Sequence, residues 1–324
     1  MKVFKNFQAV KGSHGFKKLL LSIAIATVTS LAHADNNKEI FDISPEQPER
    51  IHVVKNDRAI EAIPANYRFI KPGKLVVAVS PTDPPISFYA SDAKTAIGAD
   101  PDLASALAES LGLEIELVPI TWVDWSLGLA SGKYDAVLAN VGVTEDRKKK
   151  FDFSTYREGL HGFYTKTDSP IGTIEKPEDI AGLRVIVGAG TNQERILLRW
   201  NDVLEQQGLT PMTLQYYDDG AVSLLAIQSG RADVIVQPNA QLVYISARDG
   251  NITPKGTLSA GWPDRSDVAV ATRKDSGLAE PITIALNGLI ESGDYQKILD
   301  KWFLGAEALK QAETNPLGLP SEAQ

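Results

Sequence analysis

Two observations predict a mixed α/β fold with mainly parallel sheets. Short apolar, β-branched segments with the pattern of buried strands alternate with segments that have the pattern of helices. The same order of elements occurs twice, once before and once after residue 160. Such alternation is typical of α/β units, and 324 residues are enough for about two domains.

The first series of elements begins with a buried strand over residues 74–80. A helix over residues 100–111 follows, in which Asp100 is the candidate N-cap, Pro101 suits the first turn, and Gly112 comes after the last turn. An alternating strand, a short helix and a buried strand complete the series, over residues 113–119, 125–130 and 134–138.

The second series has strands over residues 183–187, 212–217 and 232–236, and helices over residues 192–207 and 220–229. An internal repeat links the two series: SGKYDAV at 131–137 matches SGRADVI at 229–235. In both copies a helix ends at Ser-Gly, and a buried strand begins after a basic and an acidic residue. Chance similarity of one turn is the alternative, but the shared order of elements favours two similar lobes.

Residues 1–34 have the three parts of a secretory signal peptide. They contain five lysines and no acid, an apolar run of 13 residues at 19–31, and the cleavage pattern Ala32-His33-Ala34. The run is shorter than the roughly 17–25 residues of a membrane-spanning helix. We expect cleavage after Ala34 and export, with an uncleaved anchor as the alternative. The mature chain then has 28 basic and 41 acidic residues.

Composition excludes several classes of function. Without cysteine, the chain has no disulfide, thiolate metal site or cysteine nucleophile. The acidic balance argues against a nucleic-acid binder. No H-E-x-x-H or G-x-S-x-G motif is present, so we expect no metal, cofactor or catalytic triad. Acid–base chemistry by a single carboxylate stays open.

Two segments have the pattern of anion-binding sites. VGAGTN at 187–192 follows a strand and opens a helix, where free N–H groups and the helix dipole favour a carboxylate; an empty tight turn is the alternative. Arg147 follows another buried strand, and its planar guanidinium can bind a carboxylate through two hydrogen bonds. The alternative is that Arg147 belongs to a solvated basic run at 147–150.

A set of motifs resembles the bacterial family 3 periplasmic solute-binding proteins, the amino-acid receptors of ABC importers. The likeness covers roughly residues 73–305, and the motifs keep the family order. They are PPISF (84–88), GADPDL (98–103), Trp122, SGKYD (131–135), VTEDR (143–147), FS (153–154), GLRV (182–185), GTNQE (190–194), DVAV (267–270) and KILDKW (297–302).

The resemblance implies the two-lobed periplasmic binding protein (type II) fold, with two hinge strands joining the lobes. Lobe 1 is expected at residues 71–158 plus 263–308, and lobe 2 at 159–262. Residues 35–70 are expected to be an N-terminal leader or strap. Residues 309–324 form a polar tail that is expected to fray. Hinge closure on the ligand is implied to produce the form, expected to be a monomer, that docks on an inner-membrane permease.

The resemblance also implies roles for residues at matching positions. Arg147 is expected to bind the ligand carboxylate. Asn140 and Gly142 match positions that line the family cleft. Thr191 and Asn192 match donors of the second lobe to the same carboxylate.

Other positions match the family less closely. Trp122 stands where the family lines the side-chain pocket, and Phe88 is either wall or core; a lobe-core role is the alternative for Trp122. Pro238 occupies the position of the aspartate that pairs with the ligand ammonium in the family. Asp83 stands where the family often has an aromatic, and it is a candidate for that charge, with Asn239 as a neutral donor. The alternative for Asp83 is a turn-forming Asp-Pro pair.

Three functions follow from the resemblance. The leading hypothesis is a periplasmic receptor of an ABC importer that binds a small, carboxylated, amino-acid-like solute and performs no chemistry. One alternative is an enzyme on the same fold, similar to periplasmic cyclohexadienyl dehydratase. The other alternative is a ligand-sensing binding protein.

Overall fold

The buried β-branched segments form two separate five-stranded sheets in the computed structural model, which describes residues 40–217 and 219–320. The predicted signal peptide, residues 1–34, lies outside the described residues. The strands of the described part are β1 Lys74–Val79, β2 Phe88–Tyr89, β3 Ala96–Ile97, β4 Glu114–Pro119, β5 Ala136–Val137, β6 Phe151–Glu158, β7 Leu160–Lys166, β8 Arg184–Val187, β9 Thr213–Tyr216, β10 Val234–Pro238, β11 Ile252–Ser259 and β12 Asp267–Arg273.

The two sheets have the same internal order. The first runs β4-β1-β5-β12-β6, with β1 parallel to β4 and β5, and β12 antiparallel to its neighbours. The second runs β9-β8-β10-β7-β11, with β8 parallel to β9 and β10, and β7 antiparallel to its neighbours. We call the first sheet with its helices lobe 1 and the second lobe 2. The α/β alternation predicted from the sequence is therefore confirmed.

Helices cover the sheets because their apolar faces need burial. The helices are α1 Asp57–Glu61, α2 Ala99–Ser110, α3 Trp125–Ala130, α4 Glu145–Lys148, α5 Asn192–Gln206, α6 Gly220–Gln228, α7 Asn239–Asp249, α8 Ala279–Ser292 and α9 Asp294–Lys301. Within residues 40–217 and 219–320, no helix combines the length and the hydropathy that a membrane crossing needs.

The N-terminal end of α2 differs from the prediction. The N-cap is Gly98, with φ of +128°, and Asp100 lies inside the helix, fully buried. A Cβ atom on Gly98 would lie 2.5 Å from the Ile86 carbonyl oxygen. The close approach of this backbone requires glycine and sets the start of the helix before Asp100. The predicted N-cap role of Asp100 is wrong.

The internal repeat has a shared structural purpose. The Asp135 N–H donates to the Val76 carbonyl (2.8 Å), and the Asp135 carboxylate accepts from the Val76 N–H (3.0 Å). In lobe 2, the Asp233 N–H donates to the Arg184 carbonyl (2.9 Å), and its carboxylate accepts from the Arg184 N–H (2.8 Å). Each aspartate therefore fastens the strand that follows it, β5 or β10, to the neighbouring parallel strand, β1 or β8.

The chain crosses between the lobes twice. It passes from β6 to β7 through Gly159 and returns from β11 to β12 through residues 260–266. The Gly159 N–H donates to the Ser266 carbonyl, and the Ala260 N–H donates to the Gly159 carbonyl, each at 2.8 Å. The two crossing segments are thus bonded to each other.

The described part of the N-terminal leader packs on lobe 1. Arg50 bonds Asp102 (2.9 Å) in α2. Phe41 is buried, with its ring centroid 4.8 Å from that of Trp302 and 5.8 Å from that of Tyr244, which belongs to α7 of lobe 2. The leader is therefore a strap that contacts both lobes.

The expectation that the C-terminal tail frays is wrong for residues 309–320. The Thr155 N–H donates to the Glu313 carbonyl (3.0 Å), and the Asn315 N–H donates to the Phe153 carbonyl (2.9 Å). Since β6 is the edge strand of its sheet, it presents unpaired backbone groups, and the tail satisfies them.

We predict that Asp135→Asn lowers the free energy of unfolding by about 2–3 kcal/mol, because an amide nitrogen cannot accept from buried N–H groups. The Asp135 side chain is fully buried and also accepts hydrogen bonds from Tyr67 and Ile70. Asp233→Asn is the matched control: its side chain is 25 % exposed, so the loss is expected to be about 1 kcal/mol. Denaturant titration measures both. Equal losses would contradict the account.

Candidate functional site

A cavity of about 410 Å³ lies at the carboxyl ends of β1 and β5 and is bounded by both lobes. Its lining comprises Ser80, Thr82, Asp83, Ile86, Trp122, Ala139, Asn140 and Gln241. All but Gln241 belong to lobe 1, whereas Gln241 lies on α7. We call this space the first cavity. Carboxyl ends of parallel strands at a domain interface are a common place for small ligands.

Asp83 supplies a carboxylate to the first cavity. Its Oδ1 accepts a hydrogen bond from Gln241 Nε2 at 3.1 Å, a contact that links the lobes. Burial raises the pKa of Asp83, while this hydrogen bond and the charge of Arg157 lower it. Sequence analysis proposed Asp83 as a ligand residue and did not find Gln241, because a polar residue on a helix carries no signal of its tertiary position.

Asn140 is held in place by buried charged groups. Its φ is +54°, its N–H donates to Asp100 Oδ2 (3.3 Å), and its Oδ1 accepts from Arg157 Nη2 (2.5 Å). Asp100 also accepts a hydrogen bond from Tyr156 Oη at 2.8 Å. Burial raises the pKa of Asp100 to about 6, against the lowering effects of Arg157 and Tyr156. The side chain of Asn140 is thus committed to the floor of the first cavity.

A chain of buried polar groups continues from this floor into lobe 2. Arg157 forms an ion pair with Glu307, and both side chains are nearly inaccessible to solvent. Glu307 Oε1 accepts from Asn239 Nδ2 (2.9 Å), and Asn239 Oδ1 accepts from Tyr164 Oη (3.1 Å). Asn239 was predicted as a ligand residue. The structure instead places its side chain in the buried contact between the lobes, outside the lining of the first cavity.

Arg147 lies on α4, a helix of four residues. Its N–H donates to Thr144 Oγ1 (3.2 Å), and its Nη1 donates to the Gly142 carbonyl (2.6 Å). The guanidinium carbon is 5.6 Å from the ring centroid of Trp122 and 5.8 Å from that of Trp125. Burial lowers the pKa of Arg147 from its ordinary value.

The neighbours of Arg147 in the basic run behave differently. Lys148 bonds Glu145 (3.0 Å), and Lys149 bonds Asp146 (2.7 Å), whereas no carboxylate within residues 40–217 and 219–320 lies within ion-pair distance of Arg147. Arg147 is half-buried against aromatic rings. The structure therefore separates it from the solvated basic run.

The two predicted donors of lobe 2 are placed at the start of α5. Thr191 is the N-cap: its Oγ1 accepts from the Glu194 N–H (3.2 Å) and donates to the Gly188 carbonyl (2.7 Å). The Asn192 side chain donates to the Ala260 carbonyl in the second crossing segment. The hydroxyl of Thr191 is thus occupied by capping, which leaves its backbone as the free donor.

A second cavity, of about 680 Å³, adjoins Asn192. Residues from both lobes, the second crossing segment and the tail contribute to its lining, including Thr144, His161, Asn192, Arg199, Ser266 and Leu319. His161 is 6 % exposed, and neither ring nitrogen has a hydrogen-bond partner among the described residues. Burial lowers the pKa of His161 to about 4, so the ring is neutral near pH 7. Sequence analysis missed His161, which pairs with Pro238 across β7 and β10.

Trp122 and Phe88 have different positions. Trp122 is 44 % exposed and lines the first cavity, while its role as a wall of a ligand pocket stays a prediction. Phe88 packs against Phe41 (6.4 Å between ring centroids) and edge-on against Trp302 (5.8 Å). The structure therefore favours the core alternative for Phe88.

Arg147 lies outside the lining of the first cavity. It lines a separate cavity of about 770 Å³, together with Trp122, Trp125 and the lysines Lys149, Lys150 and Lys274. Among the described residues, no group of three or more His, Asp or Glu side chains could hold a metal ion. Trp122 lines the first cavity with Asp83, and its ring centroid is 5.6 Å from the guanidinium carbon of Arg147. The first cavity thus brings together Asp83, Trp122 and Asn140, and Trp122 also lines the cavity that contains Arg147.

A family comparison matches most of this architecture. The model of bacterial extracellular solute-binding proteins, family 3, matches residues 75–305, more than half of the chain. The range includes both sheets and both crossing segments.

Individual relatives are similar in sequence and in fold. The L-cystine-binding protein TcyJ of Escherichia coli (strain K12) is 31 % identical over 242 residues, covering 74 % of this chain and 85 % of the relative. The arginine-binding extracellular protein ArtP of Bacillus subtilis (strain 168) is 29 % identical over 239 residues, covering 72 % and 87 %. The L-cystine solute receptor of Neisseria gonorrhoeae, in its unliganded open conformation, has a TM-score of 0.62 at 21 % identity and covers 74 % of this chain and 94 % of that chain. This likeness confirms the predicted two-lobed fold.

We predict that Asp100 makes the protein less stable as pH rises from about 4 to about 6. Because its folded pKa is raised, the native state holds this proton more tightly than the unfolded chain, so stability is lost as the carboxyl ionises. The contribution is about 3 kcal/mol, from a shift between 3.8 and about 6.

The measurement is the difference in unfolding free energy between wild type and Asp100→Asn as a function of pH. The control is Asp168→Asn, because Asp168 is exposed and its pKa is lowered by Lys166. A difference for Asp100→Asn that stays constant between pH 4 and pH 6 would contradict the account.

Proposed function

The chain belongs to the bacterial extracellular solute-binding proteins, family 3, and we propose that it captures an amino acid between its lobes for an ABC importer. The substrate-binding role follows from the family and from the relatives named for amino acids. The carboxylated ligand, the closure of the hinge and the permease partner are parts of the proposal.

The observation that carries this proposal is the state of Arg147. Its side chain is half-buried, and its guanidinium carbon lies 5.6 and 5.8 Å from the ring centroids of Trp122 and Trp125. Among the described residues, the guanidinium donates a hydrogen bond to the Gly142 carbonyl and to no carboxylate. A desolvated arginine normally pairs with an anion, because burial penalises an uncompensated charge. A carboxylate of the ligand is the partner that fits, since it accepts two parallel hydrogen bonds from the planar guanidinium.

Asp83 gives the cleft a complementary negative charge. It lines the first cavity, whose volume of about 410 Å³ is within the range of small-molecule sites. Trp122 connects the two ends of the site, since it lines both the first cavity and the neighbouring cavity that contains Arg147. We therefore assign the ligand carboxylate to Arg147 and its ammonium to Asp83, with Trp122 against the side chain. Pro238, which carries no charge, leaves this task to Asp83.

Closure of the lobes completes the site. Asn192 at the start of α5 and Gln241 on α7 face lobe 1 from lobe 2, so a ligand held by lobe 1 meets backbone and side-chain donors when the hinge closes. Residues 1–34 direct the chain to the periplasm, where we propose that it acts as a monomer with an inner-membrane permease. No residue is assigned a catalytic role.

We predict that an amino acid from a panel that includes L-cystine and L-arginine raises the melting temperature of the wild-type protein. Free ligand at 100-fold its Kd adds about 2.7 kcal/mol. Arg147→Ala lowers the affinity about hundredfold, since charge-assisted hydrogen bonds to the carboxylate are lost.

Lys149→Ala is the matched control for Arg147→Ala. Lys149 belongs to the same basic run, but its side chain is 71 % exposed and bonds Asp146. Its affinity is expected to stay within about twofold of wild type. Calorimetric titration measures all three proteins. The proposal fails if no panel member binds, and the role of Arg147 fails if both variants bind like wild type.

We predict that Asp83→Asn weakens binding of the amino acid about tenfold, because the amide keeps the hydrogen bond to Gln241 but loses the charge that faces the ammonium. The control ligand is the deaminated analogue with the same side chain, whose affinity for wild type and variant is expected to be equal. Equal loss for both ligands would assign Asp83 a structural role instead.

A further inference from the structure

We propose that residues 314–319 of the C-terminal tail position the α4 helix, and through it Arg147, for binding of the ligand carboxylate. The inference rests on the proposed function. It concerns a segment, residues 314–319, that contacts the chain around Arg147 and not the ligand itself. The tail makes its contacts with the backbone around Arg147 and acts through that residue.

The helix that carries Arg147 needs external support. A single turn of four residues has too few internal hydrogen bonds to offset the cost of ordering its backbone. Within the segment, Thr144 caps the turn and Lys148 bonds Glu145 at 3.0 Å. Arg147 also donates to the Gly142 carbonyl, and the tail adds further contacts.

Leu319 forms backbone hydrogen bonds on both sides of Thr144, the N-cap of α4. Its N–H donates to the Val143 carbonyl, and its carbonyl accepts from the Glu145 N–H, each at 3.0 Å. The two bonds form a parallel bridge between Leu319 and Thr144. The first N–H of a helix has no partner within the helix, so the Leu319 carbonyl satisfies a donor that would otherwise lack one.

Two further contacts hold the ends of the turn. The Gly318 N–H donates to Glu145 Oε1 (2.7 Å), and Lys148 Nζ donates to the Pro316 carbonyl (2.7 Å). A Cβ atom on Gly318 would lie 2.8 Å from the carbonyl carbon of Thr144. This close approach of two backbones is available to glycine, which lets the tail lie directly on the turn.

Hydrogen bonds to lobe 1 fix the position of the tail. Asn315 exchanges two hydrogen bonds with the Phe153 backbone: its N–H donates to the carbonyl, and its Oδ1 accepts from the N–H, both at 2.9 Å. Thr314 Oγ1 bonds Thr283 Oγ1 (2.7 Å) in α8. The tail therefore holds α4 in a fixed position relative to the sheet of lobe 1. Gly142 precedes the residues that Leu319 bonds, Val143 and Glu145, and Arg147 follows them.

The test compares two truncations. A stop after Pro316 removes Gly318 and Leu319 and keeps the contacts of Thr314 and Asn315, whereas a stop after Pro320 keeps every contact described above and is the control. Leu319→Pro is a second variant that keeps the full chain length but removes the N–H that bonds Val143. Melting temperatures establish that each protein is folded.

Calorimetry uses L-arginine or L-cystine, whichever the wild-type protein binds, together with the α-amide of the same amino acid. The stop after Pro316 and Leu319→Pro are expected to weaken the amino acid about tenfold and leave the amide unchanged, because the amide lacks the charge that Arg147 binds. In an Arg147→Lys background the truncation is expected to have little further effect, since the two changes act on one interaction.

The proposal is overturned if the truncation weakens binding of the α-amide as much as binding of the amino acid. It is also overturned if the truncation weakens binding in the Arg147→Lys background as much as in wild type. A measurement without ligand tests the positioning role of the tail independently of the proposed function. Amide hydrogen exchange over residues 145–148 is expected to accelerate in the stop after Pro316 and not in the stop after Pro320. If the wild-type protein binds no amino acid, the proposed function fails, and unchanged exchange would refute the positioning role independently.

Discussion

The buried ion pair between Arg157 and Glu307 is the interaction on which the cleft depends. Burial would lower the pKa of Arg157, but the charges around it, Glu307 foremost, raise it, so the guanidinium stays charged. A buried pair of this kind is costly to break, because either partner alone is an uncompensated charge. Through its remaining hydrogen bonds the pair holds Asn140 at the floor of the first cavity and Asn239 at the start of α7. One ion pair thus holds both Asn140, at the floor of the first cavity, and Asn239, the first residue of α7 in lobe 2.

The same pair explains why the two arginines near the cleft have different tasks. The charge of Arg157 is neutralised inside the protein by Glu307. Within the part of the chain that the structure describes, the guanidinium of Arg147 instead donates to the Gly142 carbonyl and lies near aromatic rings. Arg147 therefore keeps its charge available for a ligand. Asp83 is the counterpart: it lines the first cavity, and a neutral amide, Gln241, is its hydrogen-bond partner. A zwitterionic ligand complements this separation of charge without displacing any internal ion pair.

The fold was predictable from the sequence where local patterns decide it. The bounds of α3 match the prediction. The repeated Ser-Gly turns identified two similar lobes, because the Asp135 and Asp233 carboxylates each accept a hydrogen bond from the backbone of the neighbouring strand. The errors come from contacts between distant segments. Gly98 is the N-cap of α2 because the Ile86 backbone lies against it. The Asn239 side chain donates its hydrogen bond to Glu307, 68 residues away in the sequence, and therefore does not line the first cavity. The tail is polar in composition, yet it is ordered by the open edge of β6, which no local pattern reveals.

A crystal structure of the protein with a bound amino acid would show which groups hold the ligand. We predict two hydrogen bonds from the Arg147 guanidinium to the ligand carboxylate, with the ligand ammonium next to Asp83 and the ligand side chain against Trp122. A ligand whose carboxylate is bound elsewhere, with Arg147 still bonded to Gly142 alone, would contradict this prediction.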